Sequence, residues 1–106
     1  MVMELTQRLE RIAVGLSPPG SERRTRELGG FARYCILRIE RELGARESWK
    51  VLIEVSAGTH ASTVTVDHRG HTFEIRTRHQ DAVLAIWDAM CRIEQSLREH
   101  RATIAL

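Results

Sequence analysis

The sequence predicts an α+β two-layer sandwich of order β-α-β-β-β-α, its sheet mostly antiparallel and both helices on one face. Two long segments repeat apolar residues every three or four positions, the period of a half-buried helix. Between them lie β-rich runs joined by short connections that end in glycine. Each helical segment carries one apolar stripe, which must be covered by a second layer.

The 106 residues suit one domain spanning 1–106. Hydrophobic residues at 42% and charged residues at 28% are ordinary globular values and argue against disorder. No apolar run approaches the roughly 18 residues of a membrane span. The N-terminus lacks a cationic start followed by an apolar run, so neither a signal peptide nor a membrane partner is expected.

Residues 1–16 are ambiguous. Leu5, Leu9, Ile12 and Leu16 have helical spacing, while Ile12, Val14 and Leu16 also alternate as in a strand that starts near Arg11. The segment Ser17-Pro18-Pro19-Gly20-Ser21 breaks either structure. Ser21 can cap a helix, and Glu22 meets the positive end of its dipole. That helix runs over 21–43 on Leu28, Phe31 or Ala32, Cys35, Ile39 and Leu43, and Gly44 stops it. Gly29-Gly30 in its middle fits a kink, a close contact with the sheet, or a later helix start.

Strands follow at 49–56, 61–67 and 71–78. Ala57-Gly58-Thr59-His60 and Asp67-His68-Arg69-Gly70 connect them, read as type I turns with a late left-handed Gly. The result is an antiparallel meander whose outer face carries Lys50, Thr65, Glu74, Arg76 and Arg78. Residues 80–100 form the last helix on Ala82, Ala85, Ile86, Ala89, Met90, Ile93 and Leu97. Asp81 at its start and Arg98, His100 and Arg101 at its end suit the dipole. The tail 102–106 has no assignment.

Net charge is only +2, but its make-up is lopsided: of sixteen basic residues, fifteen are Arg, and Lys50 is the one Lys. Residues 1–46 carry +3 and residues 47–106 carry −1. Codon usage explains this composition as well as phosphate recognition does, for which guanidinium forks are suited.

The chemistry of catalysis is poorly represented. No Ser, His or Asp sits in a GxSxG elbow, and no Gly-rich loop joins a strand to a helix. His60, His68, His71 and His79 fall at loops and strand ends, where solvated His outweighs a metal cluster. Cys35 and Cys91, far apart and without CxxC spacing, read as buried thiols in a reduced, intracellular chain. No cofactor is called for. An RNA-binding surface built from Arg competes with the plainer reading of solvated helix faces paired to Glu40, Glu42, Glu94 and Glu99. The strands show no RRM-type aromatic motif, so backbone reading fits better than base stacking.

A more specific reading comes from Val51-Leu52-Ile53-Glu54-Val55, Gly58-Thr59-His60-Ala61-Ser62-Thr63-Val64-Thr65-Val66 and the run from Gly70 to Ile75. The helix that follows begins Gln80-Asp81-Ala82-Val83-Leu84-Ala85-Ile86 and continues Arg92-Ile93-Glu94-Gln95-Ser96-Leu97-Arg98. This succession resembles the ribosome hibernation-promoting factor family, also called ribosome-associated inhibitor or sigma-factor modulation proteins. The resemblance covers about half the chain; the first helix matches in position and length only. It implies the β-α-β-β-β-α fold and a cytoplasmic, non-enzymatic translation inhibitor of the short form, with no cofactor. The implied partner is the small ribosomal subunit and its ribosomal RNA, with the messenger and transfer RNA channel blocked. Carried over by position, Arg92 and Arg98 match basic sites of the last helix, Arg101 continues that face, and His60 matches the His of the first hairpin. Arg33, Arg38 and Arg41 are nominated on the first helix by their face, and Arg76 and Arg78 on the sheet.

The rival is a protein-interaction module of the same fold without ribosome binding. An exposed Trp87 would mark such a contact, with a second copy of the chain or another protein. A double-stranded RNA-binding domain shares the α-β-β-β-α order, but Asp81 stands where it needs a Lys-rich helix start.

Overall fold

The computed structural model describes residues 11–105. Alternating apolar residues pin the strands, because a period of two places every second side chain on one face. Strands β1 (Ile12–Ser17), β2 (Ser48–Ser56), β3 (Thr59–His68) and β4 (His71–His79) form one sheet in that spatial order. β1 pairs parallel to β2, and the other pairs are antiparallel. The strand reading of residues 12–16 therefore prevails; the helical alternative drew on Leu5 and Leu9, which lie outside the described residues.

The parallel pair needs a crossover, supplied by helix α1 (Glu22–Leu43). Ser21 accepts a hydrogen bond from the Arg24 amide, and Gly44 ends the helix in the left-handed conformation at φ 68°, as the sequence predicts. The helix passes through Gly29-Gly30 unbroken. A Cβ at Gly29 would stand 4.0 Å from Val14, so this helix face lies close to β1.

Helix α2 (Ala82–Ala105) is longer than the apolar stripe suggests: the unassigned tail continues it. Asp81 caps it by accepting from the amides of Val83 and Leu84. The added turn leaves Arg98, His100 and Arg101 short of the helix end, so the predicted dipole complement is not where these residues sit.

Both turns of the meander are tighter than predicted. Ser56 pairs with Thr59 and His68 with His71, leaving two-residue loops at Ala57-Gly58 and Arg69-Gly70. All four residues have positive φ, as type I′ turns require. Such turns match the twist of the flanking strands, which a type I turn would splay.

One sheet face, with Ile12, Trp49, Val51, Ile53, Val64 and Val66, packs against Leu28, Ala32, Cys35, Ile36 and Ile39 of α1 and Ala82, Ile86, Ala89, Met90, Ile93 and Leu97 of α2. Burial of each large aliphatic chain contributes about 2 kcal/mol. The two helices run parallel: Arg38 meets Glu94 and Glu42 meets Arg98, both at a separation of 56 residues. Parallel packing puts both helix N-termini at one end of the sandwich and Gly44 and Arg101 at the other. Cys35 is buried as expected, but Cys91 is exposed, because it sits one position off the stripe of Met90, Ile93 and Leu97. Among the described residues no helix is long and apolar enough to cross a membrane.

Candidate nucleic-acid interface

The nominated Arg residues do not form one surface. Arg38 and Arg98 are brought together between the helices, where two carboxylates neutralise them. Arg38 reaches Glu42 at 3.4 Å and Glu94 at 3.2 Å; Arg98 reaches Glu42 at 2.9 Å and Glu94 at 2.8 Å. Burial pushes the Glu94 carboxyl pKa up, but the hydrogen bond from Arg98 and the charge of Arg38 outweigh it and hold the group below its ordinary value. Arg38 also lies 5.6 Å from the Trp87 ring centre, a cation–π distance.

Arg92 is tied to Asp88 at 2.9 Å, and Asp88 also takes His79 at 2.8 Å. Arg33 is exposed on α1. On the outer sheet face, Arg76 lies 3.6 Å from Glu54, and Arg78 donates to the Thr59 hydroxyl at 3.1 Å. Lys50 lines a cleft there with Asp67 and Glu74, so the predicted polar face is mixed in sign. His60 sits between Arg24 at 3.1 Å and the Gln80 carbonyl at 2.9 Å, at the end that holds the helix N-termini.

Arg41 and Arg101 reach the opposite end, although Arg101 also shares a cleft with Arg98, Leu43 and Ala102. They flank the loop after Gly44, in adjoining clefts. Arg41 lines the first cleft with Arg11 and Arg46, about 400 Å³ in volume. Arg101 lines the second, about 100 Å³, with Arg69 and His68. Gly44 and Ala45 belong to both clefts, so one continuous rim carries Arg11, Arg41, Arg46, Arg69 and Arg101. Of these, Arg41, Arg46, Arg69 and Arg101 are exposed, and none forms an ion pair with a carboxylate among the described residues. Arg101 is aimed by a hydrogen bond to the Leu43 carbonyl at 2.6 Å.

This rim is built on a buried carboxylate. Glu40, only 6% exposed, accepts hydrogen bonds from Arg11, from the Glu47 amide at 2.8 Å and from the Trp49 indole at 3.0 Å. Burial raises its pKa, but the three donors outweigh that and hold it below the ordinary value. Arg11 also donates to the Glu47 carbonyl at 3.0 Å, which fixes the path of residues 44–47.

Beside the rim stand three His rings. His71 and His68 lie 4.7 and 5.8 Å from His100, ring centre to ring centre, and Glu47 holds the His68 Nδ1 at 2.7 Å. Burial, then the neighbouring His71, His68 and Arg69, hold the His100 pKa below its ordinary value. Among the described residues no group of His, Cys, Asp and Glu is arranged to hold a metal ion.

Sequence reasoning thus found two of the rim's residues and missed Arg11, Arg46 and Arg69. The signal at Arg69 is visible only once the turn is formed. Arg69 occupies the first central position of a type I′ turn at φ 51°, where Asn, Asp or Gly is preferred.

No family model and no curated protein matches the sequence. Solved structures do match the fold. The N-terminal domain of Protein Y from Thermus thermophilus superposes with a TM-score of 0.66 at 19% identity, covering 84% of this chain and 94% of that one. A ribosomal subunit interface protein from Coxiella burnetii superposes at 0.70 and 17% identity, covering 86% of this chain and 97% of that one.

Proposed function

We propose that the protein is a cytoplasmic, ribosome-associated factor that binds the small subunit through its ribosomal RNA and blocks the messenger and transfer RNA channel. It acts by steric occupancy and phosphate neutralisation rather than by catalysis. The observation that carries this reading is the fold shared nearly end to end with a ribosomal subunit interface protein. A rim with four Arg that lack a carboxylate partner among the described residues supports it, because guanidinium forks donate bidentately to phosphate oxygens.

The test is co-sedimentation with purified small subunits at low salt, followed by a salt titration. The protein pellets with the subunits, its binding weakens steeply as salt rises, and it inhibits cell-free translation. Failure to pellet even at low salt overturns the reading.

One observation favours a protein-interaction module instead. Tyr34, Leu37, Val83, Leu84 and Trp87 are all exposed on the helices. Arg38, Arg92 and Arg98 are matched by carboxylates there, which leaves that layer apolar and nearly neutral. Failure of the parent chain to pellet with small subunits, together with self-association that Trp87→Ala abolishes, would select this second reading.

A further inference from the structure

The five Arg of the rim come from segments far apart in sequence: the start of β1, the end of α1, the loop after it, the β3–β4 turn and the last helix. Four of them have no carboxylate partner among the described residues, whereas most nominated Arg elsewhere do. We infer that this rim is a docking site for the sugar-phosphate backbone of RNA and takes several consecutive phosphates without reading bases. The inference rests on the ribosome-associated reading and places its phosphate contacts at the end of the sandwich that holds Gly44.

The shape of the site points to a strand of phosphates. The cleft beside Arg69 and Arg101 holds about 100 Å³, well under the roughly 300 Å³ at which small-molecule pockets begin. The cleft beside Arg41 and Arg46 is larger but continuous with it through Gly44 and Ala45. An open cleft beside Arg41 and Arg46 that adjoins a smaller, more enclosed one beside Arg69 and Arg101 suits an extended polyanion better than one enclosed nucleotide. Apart from His68, no aromatic ring lines either cleft, so no platform for stacking a base is present there.

The backbone at the rim also fits a ligand that approaches closely. Gly44 and Gly70 both have positive φ, and a Cβ built on either would meet nothing within 4 Å, so the surface beside them is open. Arg69 holds a left-handed conformation that disfavours its own side chain by about 1 kcal/mol. That conformation sets Arg69 across from Arg101, beside His68.

The experiment uses the full chain and a fluorescein-labelled RNA hairpin read by anisotropy. Arg46→Ala/Arg69→Ala/Arg101→Ala is compared with Arg23→Ala/Arg24→Ala/Arg26→Ala, which removes the same charge at the other end of α1. The rim variant binds at least about 30-fold more weakly, and its slope of log affinity against log salt falls by about two to three. The comparison variant stays within about threefold of the parent. Equal losses in both variants overturn the proposal, because net charge alone would then explain binding. Should the rim variant fail to fold, amide shifts of the unaltered protein decide. RNA perturbs residues 44–47 and 69–70, and perturbation confined to other residues overturns the site. Inorganic phosphate at equal phosphate concentration leaves these amides largely unmoved; saturation by phosphate alone overturns the polymer as ligand. The two readings fail separately. RNA binding at the rim without small-subunit co-sedimentation ends the ribosome reading and leaves the site. Co-sedimentation undiminished in the rim variant ends the site and leaves the ribosome reading.

Discussion

The two ends of this sandwich are built from the same parts and charged differently. Each end has a two-residue turn with both φ values positive, Ala57-Gly58 at one and Arg69-Gly70 at the other. Each gathers a terminus of both helices. At the end with Ser21 and Asp81, polar groups are spent on capping and on short local pairs such as His79 with Asp88. At the end with Gly44, a buried carboxylate holds the loop, and Arg side chains are left facing solvent. Arg41 lies in the last turn of α1, where the helix dipole favours a cation. The comparison teaches that a net charge of +2 conceals a cluster of Arg gathered around one loop.

The sharpest way to break the comparison is to remove the anchor of one end. Glu40→Ala leaves the Trp49 indole and the Glu47 amide without their acceptor and unpairs Arg11. It should lower stability by about 3 kcal/mol in urea unfolding. Asp88→Ala, its counterpart at the other end, removes one part-buried and one exposed pair and should lose about 1 kcal/mol. Similar losses at both ends would show that the buried carboxylate does not organise the rim.

Acid titration sharpens the same point. Hydrogen bonding overcomes burial to hold the folded pKa of Glu40 below its ordinary 4.5. The stability this gives is complete above that value and lost as pH falls through the lowered folded value. Glu40→Gln should therefore flatten the pH dependence of the melting temperature below about pH 4.5. An unchanged acid profile in that variant would remove Glu40 as its source.

The smallest effect compares the turns directly. Ala57→Gly and Arg69→Gly each relieve a left-handed side-chain residue and should each raise stability by up to about 1 kcal/mol. Only Arg69→Gly should also weaken RNA binding, read by the same anisotropy assay. Equal RNA binding by both variants would take Arg69 out of the site.

Legibility in the sequence followed the range of the interaction. Ser21, Gly44 and the apolar stripes act within a turn or two of chain, so both helices and the meander could be read directly. The tail after Arg101 could not, because Ala102 to Leu106 holds a single polar residue, Thr103, and is too short to show a helical period. Two-residue turns were missed because Thr59, His60 and His68 can serve equally in a loop or a strand end. The resemblance seen in residues 51–101 concerned strand spacing and the last helix, and the fold bears it out.

By itself, the sequence determined the α+β class, the order of elements, which faces are buried, and the unusual supply of Arg. Those follow from local periodicity and composition. Only the tertiary structure decided which Arg are neutralised and which remain free. Glu42 and Glu94 lie 52 residues apart in sequence, yet parallel helix packing brings both to Arg38 and Arg98. The same packing gathers Arg11, Arg41, Arg46, Arg69 and Arg101 around Gly44. Charge pairing is a matter of distances of a few ångströms between remote segments, and only the folded chain sets those distances.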